Sequence, residues 1–196
     1  MKAITVTGSF GSGKTTVAKM FGVFGLPLVS ADEIVAALYK KKQVKKLLAK
    51  NFGKQIFSKK GKLKRKALAQ IVFVDKALLQ KLNLLIHPLV LGEVEKKLHA
   101  LYLRKKKFAV VEVPLLFESK SRFPFDFVVA VKCKRKKRLA RLFKKGISKN
   151  DALARIRAQL SVSKKTAKAD FVVDNSGTLA ATRKQVKKIF GQIVGG

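Results

Sequence analysis

The sequence predicts an α/β fold, a five-stranded parallel sheet flanked by helices, and three observations carry the prediction. Short apolar runs rich in Val, Ile and Phe recur at 2–7, 26–29, 108–113, 126–132 and 170–174, as expected of strands buried on both faces. Helical periodicities separate the runs, the alternation that builds parallel sheets. The first run also leads through Gly8-Ser9-Phe10-Gly11-Ser12-Gly13-Lys14-Thr15 into a helical stretch at 16–21. A G-x-x-x-x-G-K-[ST] string between a strand and a helix is a phosphate-binding loop, which makes the expected architecture a P-loop NTPase fold.

The loop comes first along the chain. Gly8, Gly11 and Gly13 let the backbone curl so that successive N–H groups, including those of Ser12 and Thr16, point at phosphate oxygens. The helix N-terminus adds unpaired donors and partial positive charge to the same spot. Lys14 is expected to reach the β/γ-phosphates, and the Thr15 hydroxyl to ligate Mg²⁺. A nucleoside triphosphate is therefore the expected ligand.

Asp32 follows the second strand, at the edge where open α/β sheets bind ligands. Its two readings are a carboxylate that orients an attacking hydroxyl and an N-cap for the helix at Glu33-Ile34-Val35. From 32 to 105 helical patterns succeed one another, a span too long for a simple connection, so it reads as a helical substrate-binding subdomain. Within it His87-Pro88 follows an apolar helix; the proline restrains His87 to extended backbone, which predicts that the helix ends there. His87 reads as a packed or capping residue or as a site residue. The third strand carries one acid, Glu112, which resembles a Walker-B acid and needs a cation, a metal shell or a donor. A second helical excursion, at 134–168, is strongly basic and broken at Lys145-Gly146-Ile147-Ser148, with Ser148 as the expected N-cap of the next helix. It suits a lid over phosphates. The chain thus divides into a core (1–31, 106–133, 169–196), the subdomain at 32–105 and a lid at 134–168, all within a single domain.

Composition narrows the function classes. One cysteine, Cys133, excludes an internal disulfide and a cysteine-based zinc site, and fits a reducing compartment. The N-terminus runs straight into a strand, so no signal peptide is expected, and no apolar run approaches the roughly eighteen residues of a membrane span. A cytoplasmic monomer without membrane contact is the expectation. Forty-five Lys and Arg against eleven Asp and Glu give a net charge of +34. The cations are spread along the chain and lack interleaved aromatics, so the charge predicts non-specific polyanion binding at low salt and no specific nucleic-acid partner. With acids this scarce, each is a candidate for chemistry or for a structural pairing.

Several strings together resemble the dephospho-coenzyme A kinases, over 2–191. The phosphate loop is similar to theirs. Ser30-Ala31-Asp32 stands where that family has Asp-Ala-Asp, and Gly61-Lys-Leu-Lys-Arg65 followed by Leu68-Ala-Gln-Ile-Val-Phe73 is similar to a further segment, with Lys64 in place of an acid. Ile86-His87-Pro88-Leu89 and Val113-Pro114-Leu115-Leu116-Phe117-Glu118 are close matches. Arg141, Arg155, Gln159, Lys165 and Asp170 follow at the family's spacing, and Asn175-Ser176-Gly177 matches its last loop. The departures are Ser30, Glu112 for Asp, Arg138 for Gln, and Lys145 for a second lid arginine.

The resemblance implies phosphorylation of the ribose 3′-hydroxyl of dephospho-coenzyme A by ATP, with Mg²⁺. It implies Asp32 as base, Lys14, Arg141 and Lys145 on the transferring phosphoryl group, and Arg65, His87, Pro114, Leu115 and Leu116 facing the acceptor. Asn175 and Gly177 would border the adenine of ATP. The alternatives are a kinase of another small acceptor, such as a nucleoside monophosphate, and a nucleotide-regulated RNA-binding protein.

Overall fold

All five expected strands form in the computed structural model, which describes residues 1–118 and 125–195. Residues 119–124, inside the expected core segment 106–133, and Gly196 lie outside the described residues, as do the side chains of Phe73 and Lys76. β1 (Lys2–Gly8), β2 (Leu28–Ser30), β3 (Phe108–Glu112), β4 (Phe127–Lys132) and β5 (Phe171–Asp174) form one sheet in the order β2-β3-β1-β4-β5. Every pairing is parallel, so all five carboxyl ends open on one edge. The chain leaves β1 for the edge strand β2, returns to β3 beside β1, and then crosses to β4 and β5 on the other side. The connections after β1 and β4 therefore run in opposite directions, which leaves a crevice at the end of β1 where such sheets hold ligands.

Strand alternation sorts the core into two layers. In β1, Ala3 faces one layer with Val29, Ile34, Leu48, Val94 and Val111, while Ile4 and Val6 face the other with Val17, Phe21, Val129 and Val186. Helices α1 (Lys14–Gly22) and α9 (Leu179–Gly195) close the second layer. The first is closed by α2 (Ala31–Leu38), α3 (Lys42–Phe52), α4 (Arg65–Val74) and α5 (Lys76–Leu103). Between β4 and β5 come α6 (Arg135–Lys144), α7 (Lys149–Arg157) and the short α8 (Val162–Thr166). Ser148 caps α7 as expected, its hydroxyl accepting from the Asp151 N–H at 3.2 Å.

One expectation needs correction. The helix before Pro88 does not end at His87: α5 continues through the proline to Leu103. Proline removes one i→i−4 bond, and the carbonyl left over belongs to Leu84, which is 76% exposed. Ile86, Val90 and Val94 meanwhile anchor both sides of the proline in the core, and that packing outweighs the local preference. Ala77–Leu103 is also long and apolar enough to cross a membrane by length and composition alone, a test that the core helix of a soluble protein passes as well. Lys81, Glu93, Glu95, Lys96 and Lys97 interrupt its apolar run, as the sequence predicts.

Three of the eleven carboxylates prove to be structural ties at element ends. Asp75 caps α5 by accepting from Ala77 and Leu78 N–H. Asp126 accepts from the Ala3 N–H at 2.6 Å and Asp170 from the Val128 N–H at 2.7 Å, both at the sheet's amino-terminal edge. That sorting leaves the opposite edge with the acids of chemical interest.

Candidate active site

The loop after β1 takes its shape from glycine geometry and holds it by long-range hydrogen bonds. Gly13, at φ 90°, is in the left-handed region, and a Cβ there would collide with the side-chain amide of Asn175. That amide, from the turn after β5, donates to the Ser12 carbonyl at 2.8 Å, and its oxygen accepts from Thr182 Oγ1 at 3.1 Å. Arg141 of α6 reaches the same carbonyl with Nη1 at 3.3 Å and the Asn175 carbonyl with Nη2 at 3.0 Å. One residue pair earlier, Phe10 donates its N–H to Gln159 Oε1 at 2.8 Å and accepts Arg138 Nε at 3.2 Å. Four side chains far along the chain therefore clasp the loop.

Lys14 and Thr15 begin α1, where the unpaired N–H groups of its first turn face the crevice. Lys14 is 8% exposed, and Nζ is 3.3 Å from the Ser9 carbonyl. Burial lowers its pKa to about 8, against the pull of Glu112 and Asp32, while Lys165 and Arg138 push it down further. Thr15 Oγ1 donates to Glu112 Oε1 at 2.7 Å. Glu112 ends β3 and is 3% exposed; burial raises its pKa, opposed by the Thr15 hydroxyl and the Lys14 charge. Among the described residues no group of three or more His, Cys, Asp or Glu gathers to hold a metal. A hydroxyl backed by one carboxylate fits a hard cation that takes its other oxygens from phosphate and water, which is how Mg²⁺ is bound.

Beside the loop lies a cavity of about 370 Å³ that draws on five parts of the chain. Phe10 contributes from the loop, Ala31, Asp32 and Val35 from α2, and Leu79, Asn83, His87 and Val90 from α5. The far wall is Val113, Pro114, Leu115 and Glu118, then Arg155, Ala158 and Gln159. Asp32 does not cap its helix. The cap is Ser30, whose Oγ accepts from the Glu33 N–H at 3.3 Å, so the Asp32 carboxylate, exposed in the first turn of α2, is left to the cavity. His87 is half-buried, and burial lowers its pKa, which keeps the imidazole neutral at neutral pH.

The expected site residues divide into three groups. Asp32, His87, Pro114 and Leu115 share the cavity wall, and Gly8 to Thr16 form the loop and the start of α1 beside it. Arg141 and Asn175 meet at the loop, but as supports of its backbone; Asn175 is 2% exposed, and Gly177 lies exposed two residues beyond. The remaining three stand apart. Leu116 packs in the core at 3% exposure, Arg65 lies 5.9 Å from the Tyr39 ring outside the cavity lining, and Lys145 is exposed one position past α6. Phe10 and Asn83 went unrecognised as cavity residues; Asn83 precedes His87 by four positions, a helical spacing that could have found it.

Comparison with known proteins bears on this arrangement. The family model described as CoaE, dephospho-CoA kinase, matches residues 2–181. The dephospho-CoA kinase of Aquifex aeolicus is 35% identical over 194 residues, covering 98% of each chain. Among solved structures, TT1252 from Thermus thermophilus superposes with a TM-score of 0.78 at 29% identity, covering 98% of this chain and 97% of that one. Dephospho-CoA kinase from Campylobacter jejuni does so with a TM-score of 0.69 at 28% identity and 98% coverage of both.

Proposed function

The chain belongs to the dephospho-CoA kinase family, and from that premise we propose how its residues divide the work of the reaction. The reaction is ATP-dependent phosphorylation of the ribose 3′-hydroxyl of dephospho-coenzyme A, the last step of coenzyme A biosynthesis. Phosphoryl transfer asks a protein mainly for positioning and charge stabilisation. Backbone N–H groups of the loop from Gly8 to Thr16 cradle the ATP phosphates, and Lys14 neutralises the β/γ oxygens. A Mg²⁺ ion bound with ATP would be held by Thr15 Oγ1, backed by Glu112, and would neutralise phosphate charge.

The acceptor enters the cavity between α5 and the 113–118 segment, with His87, Pro114 and Leu115 against it. Asp32 accepts the proton of the 3′-hydroxyl or orients it as it attacks. Arg141 keeps the loop in shape and presents its positive charge to the transferring group, and Lys145 joins it when the segment 134–168 closes as a lid. We take the enzyme to act as a cytoplasmic monomer. The observation that carries this reading is Asp32 in the wall of a cavity that also includes Phe10 of the phosphate loop. The deciding experiment is mass-spectrometric detection of coenzyme A after incubation with ATP, Mg²⁺ and dephospho-coenzyme A, run beside nucleoside monophosphates as competing acceptors. Turnover of a monophosphate in preference to dephospho-coenzyme A would reject the acceptor assignment.

A further inference from the structure

Lys165 is 1% exposed, a burial that lysine tolerates only with partners. It sits on α8, outside the cavity lining, yet its ammonium reaches the cavity's far wall. Its Nζ donates to the Pro114 carbonyl at 3.0 Å and pairs with Glu118 Oε1 at 2.8 Å. The same carboxylate oxygen accepts the Leu160 N–H at 2.9 Å, while Oε2 is buried with no hydrogen-bond partner among the described residues. The two wall segments that meet here, 113–118 and 155–159, come from distant parts of the sequence, and each lines the cavity. Leu160 directly follows the second, so one buried ion pair stitches the two together.

The arrangement is costly in itself. Desolvation lowers the Lys165 pKa, opposed by the bond to Glu118 and its charge. A buried pair of this kind adds little net stability over apolar packing, and its best-supported use is to hold one geometry against others. Here the geometry held is the orientation of the turn at Pro114, a residue with no N–H of its own to tie it down.

We propose that Lys165 is a positioning residue for the acceptor: through Glu118 and the Pro114 carbonyl it sets the spacing of the two walls between which dephospho-coenzyme A binds. The inference rests on the acceptor reading of the cavity. Loss of the ammonium frees the turn and the 155–160 segment to separate, which loosens the acceptor. Of the four side chains that clasp the phosphate loop only Gln159 lies on that segment, and Asn175, Arg141 and Arg138 stay in place.

The test is steady-state kinetics on Lys165→Met and Glu118→Gln with each substrate varied in turn, beside His87→Leu as a change in the cavity wall itself. Lys165→Met is expected to raise the KM for dephospho-coenzyme A by at least ~10-fold with the KM for ATP within about twofold of the parent. Glu118→Gln keeps both oxygen-side bonds and removes the charge, so a smaller rise of ~3-fold is expected. The double variant should be no worse than Lys165→Met alone, because the two groups act as one unit. Parallel loss in both KM values would make Lys165 a general structural lysine and overturn the proposal. So would an acceptor KM within twofold of the parent in Lys165→Met while His87→Leu raises it. An acceptor KM unmoved in His87→Leu as well would instead reject the cavity as the acceptor site. Should Lys165→Met fail to fold, as judged by circular dichroism, Glu118→Gln decides: an acceptor-selective rise supports the proposal, and none overturns it.

Discussion

The two halves of the site are built by opposite means. On the donor side the functional groups are contiguous, from Gly8 to Thr16, and their backbone is held by polar side chains from four distant positions. On the acceptor side the wall residues are themselves scattered, from Phe10 to Gln159, and most are apolar, with Asp32, Asn83 and His87 among the polar exceptions. On the proposed reading the donor half binds a group common to all nucleoside triphosphates and can use a portable motif. The acceptor half must fit one molecule, so its specificity resides in how segments of the fold are assembled. Perturbing the first should therefore weaken ATP, and perturbing the second should change turnover or acceptor binding with ATP unaffected.

The largest effect that separates the halves is expected at Asp32. Asp32→Asn keeps size and removes the charge of the carboxylate beside the loop. kcat should fall at least ~100-fold, with ATP affinity by isothermal titration within about twofold of the parent. A variant that turns over at near-parental rate would remove Asp32 from the chemistry. Its helix would stand regardless, because Ser30 supplies the cap.

A smaller effect is expected on the donor side. Asn175→Ala removes the shorter of two bonds to the Ser12 carbonyl and opens space where Gly13 now meets the Asn175 side chain. Loss of a partner to a buried polar group costs about 1–3 kcal/mol, and part of that should appear as ATP affinity weakened roughly tenfold. kcat at saturating ATP should change little. A kcat loss as deep as that of Asp32→Asn, with ATP affinity intact, would mean that the turn after β5 takes part in the transfer and the two halves are not separable as described.

This division also decides how much was legible in the sequence. The sheet, the loop and the acid after β2 were readable because each rests on local rules: apolar runs, a strand–loop–helix string, a residue type at a strand end. The roles of Asn175 and Arg141 were not, since the bonds they make depend on strand order, which brings the end of β5 and the last turn of α6 to Ser12. Pro88 misled for the same reason. Its local preference against helix was read correctly, but the packing of Ile86, Val90 and Val94 lies outside any local rule. On the acceptor side only the resemblance connected His87 with Pro114. No periodicity links residues twenty-seven apart, and Lys165 carried no local sign that it would be buried against both Pro114 and Glu118.

The smallest of these effects concerns Lys14, and it tests the donor side through protons. Folded, its pKa is about 8, against 10.5 for a free lysine, because the cost of burying the ammonium exceeds the attraction of Glu112 and Asp32. The unfolded chain binds the proton more tightly, so as pH falls from 10.5 towards 8 this group withdraws stability from the fold. Bound phosphates reverse the balance, since an anion beside the amine favours its charged form. Binding of ATP above pH 8 should then take up a proton, and affinity should fall by up to ~10-fold between pH 7 and pH 9, the limit for one group of that pKa. Isothermal titration at pH 9 in buffers of different ionisation enthalpy should give an uptake near one proton, shrinking towards zero at pH 7. An ATP binding enthalpy independent of buffer at pH 9 would show that Lys14 is already charged in the free enzyme. The donor loop would then hold its cation ready in advance, as it already holds its backbone.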